Sequence, residues 1–281
     1  MSDFLMREEA PLTAEEWAKI DEVVVAVAKK LLVGRRLIEV YGPFGAGLQT
    51  VAIDRYHVSG ACLHPGKPSE CCGEECDCKE ECDPVDLAAR ETVTLPLIHK
   101  DFILHWRDIV TSRQYHMPLD LGQAGAAAAM VAMKEDEMIF GELLANGGSK
   151  VSASNWDVAG SVFQNLVAAA TTLVEKGCYG PYAAVVSPAV YAKMHRPMQG
   201  DMGMLEIKQA RELASGGVYQ TPALKDNQAL LISQGAHNLD LAIAQDLVTA
   251  YLGPDKMDHL FRVLETLVLR IKRPEAIYVI G

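Results

Sequence analysis

Residues 120–140 (DLGQAGAAAAMVAMKEDEMIF) form the segment that most restricts how this chain can fold. Alanine, methionine, glutamate and lysine are strong helix formers, and the two interior glycines fall in the first two turns. Asp120 is the expected N-cap, and Gly141 together with Asn146, Gly147 and Gly148 is expected to end the helix. An alanine-rich face lets another backbone approach closely, so the sequence predicts a long central helix against which a sheet or a second helix packs.

The rest of the chain alternates helical and strand patterns without internal repeats, which predicts an α+β fold. Thr13 and Glu16 form a capping box, so a first helix is expected over 14–32, with Gly34 closing it. Two strand-like stretches enclose an irregular middle in residues 49–94 and indicate an extended β-arm that reaches outward. The last third is rich in strand patterns, with LDLAIA and VTAYLG expected as separate strands. Further helices are predicted at 159–176, 189–194 and 204–214.

Charge and hydropathy argue against two classes of partner. A net charge of −11 disfavours binding to the phosphates of a nucleic acid, which needs a basic face. No stretch approaches the roughly eighteen apolar residues of a membrane span, and the N-terminus lacks the apolar core of a secretory signal. We therefore expect neither a nucleic-acid nor a membrane partner, and a cytoplasmic location.

No catalytic residue is predicted, and no cofactor is required. The chain lacks HExxH, GxSxG and Walker motifs, and it lacks the Glu-x-x-His pair of a di-iron bundle. The stretch GPFGAG has neither the lysine of a phosphate loop nor the spacing of a dinucleotide fingerprint. His99, His105 and Asp108 are close in sequence, but strand geometry puts His99 and Asp101 on one face without a third ligand, which disfavours a metal or catalytic cluster.

Six of the seven cysteines crowd into residues 62–82, where the chain is also strongly acidic. Their spacing lets thiolates converge on zinc or on an iron–sulfur centre, and a reducing cytosol favours metal over disulfides. Disulfides within or between arms, and an inert acidic insertion, are the alternative interpretations. The interleaved carboxylates attract cations but raise the thiol pKa values. The candidate ligands are Cys62, Cys71, Cys72, Cys76, Cys78 and Cys82.

Seven segments, spread over nearly the whole chain, resemble the encapsulins, which are nanocompartment shell proteins that share the fold of tailed-phage major capsid proteins. The segments are APLTAEEW, LVGRRLIEVYGPFGAG, LPLIHKDFILHWRDI, EDEMIFGE, GPYAAVVSP, NLDLAIAQDLVTAYLG and FRVLETLVLRIKRPEAI. The likeness is greatest to larger encapsulins associated with iron-mineralising cargo, from which the cysteine-rich stretch departs. The resemblance implies a fold with a P-domain that contains the central helix, an extended E-loop formed by the β-arm, and an A-domain.

The resemblance also divides the chain into five ranges. They are a cargo-facing N-terminal helix region of the P-domain at 1–48, the E-loop at 49–94 with its cysteine-rich insertion at 62–82, the P-domain at 95–180 with the central helix at 120–140, the A-domain at 181–253, and C-terminal P-domain strands at 254–281.

As a member of this family, the chain would assemble into an icosahedral shell of a multiple of sixty copies around a cargo enzyme. The expected cargo is a ferritin-like iron-oxidising protein that carries a C-terminal targeting peptide and serves iron storage or protection from oxidative stress. A phage major capsid protein and a small cysteine-rich metal-binding oligomer are the alternatives.

The resemblance implies two sets of functional residues. The cargo peptide would dock near the first helix, although the apolar candidates there equally fit the buried face of that helix. A pore would lie at a symmetry axis, where an A-domain tip places two glycines. The cargo-binding candidates are Ile20, Val24, Leu31, Arg35 and Glu39, and the pore candidates are Arg211, Ser215, Gly216, Gly217 and Tyr219.

Overall fold

A computed structural model describes residues 4–57, 85–197 and 204–281, and within these ranges helices and strands mix as an α+β fold requires. The helices are α1 (Ala14–Leu31), α2 (Gly34–Leu37), α3 (Trp106–Tyr115), α4 (Gly122–Asn146), α5 (Ser161–Glu175), α6 (Pro188–Lys193) and α7 (Glu206–Leu213). The strands are β1 (Glu39–Tyr41), β2 (Thr50–His57), β3 (Asp86–Thr94), β4 (Leu97–Leu104), β5 (Ser149–Val151), β6 (Tyr182–Val186), β7 (Val218–Gln220), β8 (Ala229–Ser233), β9 (Leu239–Asp255), β10 (Asp258–Ile271) and β11 (Ile277–Ile280).

The central helix α4 is longer than the sequence predicted. It passes through Gly141 without interruption and ends at Asn146, before Gly147. A Cβ atom on Gly147 would lie 2.6 Å from Cγ2 of Val279, so strand β11 comes too close for a side chain at this position. Gly141 has no such neighbour within 4 Å, and a single helical glycine there is tolerated at a modest cost.

The start of α4 also differs from the prediction. The N-cap is Leu121, and the carboxylate of Asp120 instead accepts a hydrogen bond from the N–H of Gly122 at 2.9 Å. The alanine-rich face behaves as expected: a Cβ on Gly125 would lie 3.5 Å from Val23, because α1 packs directly on this face. The buried small residues of α4 are Ala124, Gly125, Ala127, Ala128 and Ala132.

The capping box of α1 is confirmed. The hydroxyl of Thr13 accepts a hydrogen bond from the N–H of Glu16 at 3.2 Å, and the Glu16 carboxylate accepts one from the N–H of Thr13 at 2.7 Å. The helix ends at Leu31. Gly34, which was expected to close α1, is the first residue of the short helix α2.

The first sheet has the strand order β1-β9-β10-β4, with β1 parallel to β9 and the other pairs antiparallel. The sequence predicted two strands where β9 is a single one, because the polar residues Gln245 and Asp246 interrupt its apolar pattern. In the structure, Asp246 and Leu247 together lie opposite Glu265 of β10, so the strand continues through a β-bulge.

The second sheet has the order β5-β11-β8-β6-β7 and packs against α5, α6 and α7. Strands β6, β8 and β11 are buried along their whole length. This layer does not follow the predicted A-domain range of 181–253, since α5 and β5 precede that range and β11 follows it. The cause is the pairing of β11 with β8, which brings the C-terminal strand into the second sheet.

The predicted β-arm is present as the antiparallel pair β2 and β3. Ion pairs across the pair join Asp54 to Arg90 at 2.6 Å and Arg55 to Glu91 at 3.2 Å. At its base, the guanidinium of Arg270 donates a hydrogen bond to the carbonyl of Ala52 at 3.0 Å. The cysteine-rich stretch between the two strands lies outside the described residues.

Phe261 should be the most sensitive single position in the core between α1, α4 and the first sheet. Its buried ring packs on Trp17, Phe102 and Tyr251, with centroids 5.2–5.6 Å away. We expect Phe261→Ala to lower the free energy of unfolding by about 3–5 kcal/mol. The exposed Tyr115→Ala, 63% accessible, should change it by less than about 0.5 kcal/mol. Equal effects of the two variants in denaturant unfolding would contradict this core.

Candidate functional site

Two of the predicted cargo-binding residues lie in the core. Ile20 and Val24 are at most 1% exposed and pack in one cluster with Trp17 of the same helix, Ala128 of α4 and residues of the first sheet. Helical periodicity identifies the buried face of an amphipathic helix as readily as a binding face, and here it identified the buried one. These side chains therefore cannot line an open peptide pocket.

Leu31 and Glu39 are accessible, as a binding role requires. Leu31 ends α1 with 40% of its surface exposed, and Glu39 begins the edge strand β1. Val25, which the sequence analysis did not single out, is the other large apolar residue exposed on α1. Its signal in the sequence is weak, because one exposed valine on a helix is ordinary.

Arg35 is occupied by contacts inside the subunit. Its Nε lies 2.8 Å from a carboxylate oxygen of Glu135, its Nη1 lies 2.6 Å from Asp246, and its Nη2 lies 2.6 Å from Glu265. Glu135 and Glu265 are fully buried, and the Arg35 side chain is only 17% exposed. Arg35 therefore has a structural role in the subunit, and its predicted role as a cargo ligand stays a prediction. We call these four residues the Arg35 cluster.

Asp136, next to the cluster, fixes the turn between α1 and α2. Its carboxylate accepts hydrogen bonds from the N–H groups of Val33 and Gly34, each at 2.9 Å. Burial raises the pKa of Asp136 to about 6, while the two backbone hydrogen bonds act in the opposite direction. A Cβ on Gly34 would lie 2.7 Å from Cδ1 of Ile139, so a side chain at this position would require Ile139 to shift.

The predicted pore residues form a tight connection from α7 into β7. The N–H of Gly216 donates to the carbonyl of Tyr182 at 2.8 Å, and a Cβ on Gly216 would lie 2.8 Å from that same carbonyl oxygen. Gly217 has a φ of 109°, and the hydroxyl of Tyr219 donates to the Gly216 carbonyl. These glycines serve close backbone packing, so a bulky residue at Gly216 would disturb the fold before it could narrow a channel.

Arg211 and Ser215 are the exposed members of the pore set. A guanidinium N–H of Arg211 donates to the hydroxyl of Tyr191 at 3.3 Å, which holds the arginine at the surface of α7. A channel at a symmetry axis needs several copies of the chain, so the pore assignment stays a prediction for these two side chains.

The six candidate metal ligands all lie in residues 58–84, outside the described part of the chain. Among the residues that the structure does describe, no group of three or more His, Cys, Asp or Glu side chains is arranged to hold a metal ion. The seventh cysteine, Cys178, is buried, and burial raises the pKa of its thiol. In the same described ranges no helix is both long and apolar enough to span a membrane.

Comparisons with known proteins agree with the capsid-like architecture. Residues 1–268 match the family described as encapsulating protein for peroxidase. The chain is 45% identical to the type 1 encapsulin shell protein EncA of Myxococcus xanthus, over 99% of this chain and 96% of that protein. The chain belongs to the encapsulin family. An encapsulin is a structural shell subunit, so the function of this chain is structural and not enzymatic.

Two further encapsulin relatives are fusion proteins. A diheme-cytochrome–encapsulin shell fusion protein of Kuenenia stuttgartiensis is 39% identical over 96% of this chain and 73% of that protein. A ferritin-like–encapsulin shell fusion protein of Pyrococcus furiosus is 27% identical over 70% of this chain and 56% of that protein.

Solved structures confirm the predicted fold class. A virus-like particle from Pyrococcus furiosus superposes with a TM-score of 0.76 at 22% identity, over 95% of this chain and 100% of that one. The mature capsid of bacteriophage PhiM1 gives a TM-score of 0.59 at 13% identity, over 88% and 86%. The phage capsid shares the fold alone, whereas the sequence relatives are encapsulins.

Sequence reasoning missed the partners of Arg35 in this encapsulin. Glu135 is part of the charged run KEDE, yet Glu135 and Asp136 are buried. Each lies four residues, about one helical turn, after a buried residue, since Glu135 follows Val131 and Asp136 follows Ala132. This spacing places both on the apolar face of α4 and is the sequence signal that could have identified them.

The Arg35 cluster predicts a large loss of stability when its cation is removed. We expect Arg35→Met to destabilise the subunit by about 3–5 kcal/mol, because it leaves buried carboxyl groups without a partner. Lys19→Met, at an exposed position of α1, should change stability by less than about 0.5 kcal/mol. Denaturant unfolding of both variants measures the difference, and an R35M variant as stable as K19M would restore Arg35 as a free surface ligand.

Proposed function

We propose that this encapsulin assembles into a closed icosahedral shell of a multiple of sixty copies, located in the cytoplasm, around a ferritin-like iron-oxidising cargo. Its role would be iron storage or protection from oxidative stress. The β-arm is the observation that carries the assembly proposal. Nearly all side chains of β3 are exposed, including Leu87 at 42%, in a ribbon that the rest of the described subunit covers only near its base.

The cargo proposal is supported by a relative. The Pyrococcus furiosus fusion protein joins a ferritin-like part to an encapsulin shell part in one chain, which pairs this kind of shell with a ferritin-like protein. The description of the family supports a second candidate, a peroxidase. Either cargo would reach the shell through a short peptide at its C-terminus.

We place the docking surface for this peptide on the exposed side of α1. Leu31 and Val25 offer apolar contact area there, and Glu39 offers a charge just beyond the turn that Asp136 fixes. This surface replaces the buried pair Ile20 and Val24 in the earlier prediction. Arg211 and Ser215 are proposed to line a pore through which small ions reach the cargo.

Cargo retention tests this proposal directly. Purified shells should be hollow closed particles that co-purify with a reporter carrying the C-terminal peptide of a ferritin-like cargo. Leu31→Ser should lower the retained reporter on the order of tenfold, because burial of a leucine side chain contributes about 1.5–3 kcal/mol. Val167→Ser is the matched control, since Val167 and Leu31 are each 40% exposed and Val167 lies on α5.

Three outcomes would contradict parts of the proposal. A monomer or dimer at micromolar concentration in light scattering would refute shell assembly. Equal reporter retention by L31S and V167S would refute the docking surface on α1. Retention of a peroxidase-tagged reporter with rejection of the ferritin-tagged one would refute the ferritin-like cargo and support the second candidate.

We further propose that the cysteine-rich stretch 62–82 holds its six thiols either on zinc or iron or in disulfides. If metal is bound, a chelator should lower the melting temperature of the shell and metal uptake should release protons. If disulfides form between arms, the shell should resist chelator, respond to reductant and give cross-linked chains on a non-reducing gel.

Elemental analysis and thiol counting after denaturation separate these cases. Seven free thiols per chain, with Cys178 among them, and less than about one tenth of a metal would refute both. Replacement of all six arm cysteines by serine should then leave assembly and melting temperature unchanged.

A further inference from the structure

Two acidic side chains meet in the interior where the N-terminal segment, the central helix and the first sheet join. Glu135 comes from α4 and Glu265 from β10, and neither has any exposed surface. The same guanidinium nitrogen of Arg35, Nη2, lies 2.8 Å from Glu135 and 2.6 Å from Glu265. Two carboxyl groups without exposed surface therefore share one arginine.

The charges around this pair do not balance if both carboxyl groups are ionised. Arg35 from α2 is the only cation in contact with the pair among the described residues. Arg35 also binds a third carboxylate, that of Asp246 from β9. Asp136, the neighbour of Glu135 on α4, adds a further acidic group nearby. Asp246 is 57% exposed and can be hydrated, but the two glutamate side chains have no solvent-exposed surface, so an excess negative charge on them is costly.

Hydrogen bonding also indicates that the pair is not fully ionised. One carboxyl oxygen of Glu265, Oε1, is buried without a hydrogen-bond partner in the described structure. An ionised carboxylate would leave that oxygen as an unsatisfied acceptor, at a substantial cost. A protonated carboxyl group can instead donate a hydrogen bond, and the Glu135 carboxylate, which binds the same Arg35 nitrogen, is the neighbouring acceptor.

The backbone of the first sheet creates this meeting point. The β-bulge in β9 sets Asp246 and Leu247 opposite Glu265 and so breaks the regular pairing of β9 with β10 at this position. Bulges redirect side chains out of the regular alternation of a strand. Four elements, α2, α4, β9 and β10, are thereby held together through Arg35.

We propose that Glu135 and Glu265 hold one proton between their carboxyl groups at neutral pH, and that loss of this proton in alkaline solution loosens the joint between α2, α4 and the β9–β10 hairpin. Burial, with the neighbouring Glu135 carboxylate second, raises the pKa of Glu265 to about 9, which supports the proposal. The shared proton is a structural component of the subunit and is independent of any cargo.

The sign of the pH dependence follows from proton counting. In the unfolded chain Glu265 loses its proton near its ordinary value of about 4.3. In the folded subunit it keeps the proton up to a pH of about 9, so between these values the folded state binds one more proton. The unfolding equilibrium constant should then rise about tenfold per pH unit from this pair alone, and the contribution should level off above pH 9.

Infrared spectroscopy and thermal unfolding of the assembled protein test the proposal. The wild type at pH 7 should show the C=O stretch of a buried protonated carboxyl group, which should vanish as the pH rises through about 9. Glu265→Gln should lack this band, and its melting temperature should fall less between pH 7 and pH 10 than that of the wild type. Gln is the neutral isostere of the protonated acid and leaves Arg35 paired with Glu135.

Glu137→Gln is the matched control, because Glu137 lies on the same helix, is 63% exposed and pairs only with the exposed Lys134 in the described structure. It should retain both the band and the wild-type pH dependence. Absence of a protonated-carboxyl band from the wild type at pH 7 would overturn the proposal without any variant. Parallel melting curves against pH for E265Q, E137Q and wild type would also overturn it.

Discussion

Buried charge on the central helix determines how the layers of this subunit are held together. Glu135 and Asp136 are consecutive on α4, and both point into the core. Glu135 binds the guanidinium of Arg35, while Asp136 accepts the N–H groups of Val33 and Gly34. Because buried charges and backbone donors are costly to leave unpaired, the segment after α1 has one satisfactory position on α4. Desolvation offsets much of the attraction within such buried ion pairs, whereas removal of one partner leaves an unpaired buried charge.

The fixed turn explains why accessible and inaccessible residues lie so close together in the N-terminal region. Leu31 is exposed at the end of α1, Arg35 is enclosed four residues later, and Glu39 is exposed on β1. The chain is buried from Leu32 to Gly34 and again at Leu37 and Ile38, and the residues that Glu135 and Asp136 bind lie within this stretch. A docking surface built there would be rigid, since the turn between Leu31 and Glu39 is bound to α4 and Glu39 lies in the first sheet.

Elements with strong local signals could be predicted from sequence, whereas features that depend on long-range pairing could not. The capping box of Thr13 and Glu16 and the alanine face of α4 were predictable, because both are set within a few residues. The continuity of β9 through Gln245 and Asp246 depends on its pairing with β10, and no local sequence pattern indicates this pairing. The likeness to encapsulins correctly gave the fold, but it could not tell that Arg35 binds Glu265, 230 residues away in the chain.

We expect the β-arm to link folding of the subunit to assembly. Strands β2 and β3 pair only with each other in the described structure, so each has an outer edge of unpaired backbone groups. A two-stranded ribbon in water is marginally stable, and the fixed points of this one are near its base, where Val51 is buried and Arg270 binds the Ala52 carbonyl. Its outer half, with Tyr56 58% exposed, gains little from its own subunit. Contact with another copy would cover this surface, so the order of the arm and the closure of a shell should be gained in the same step.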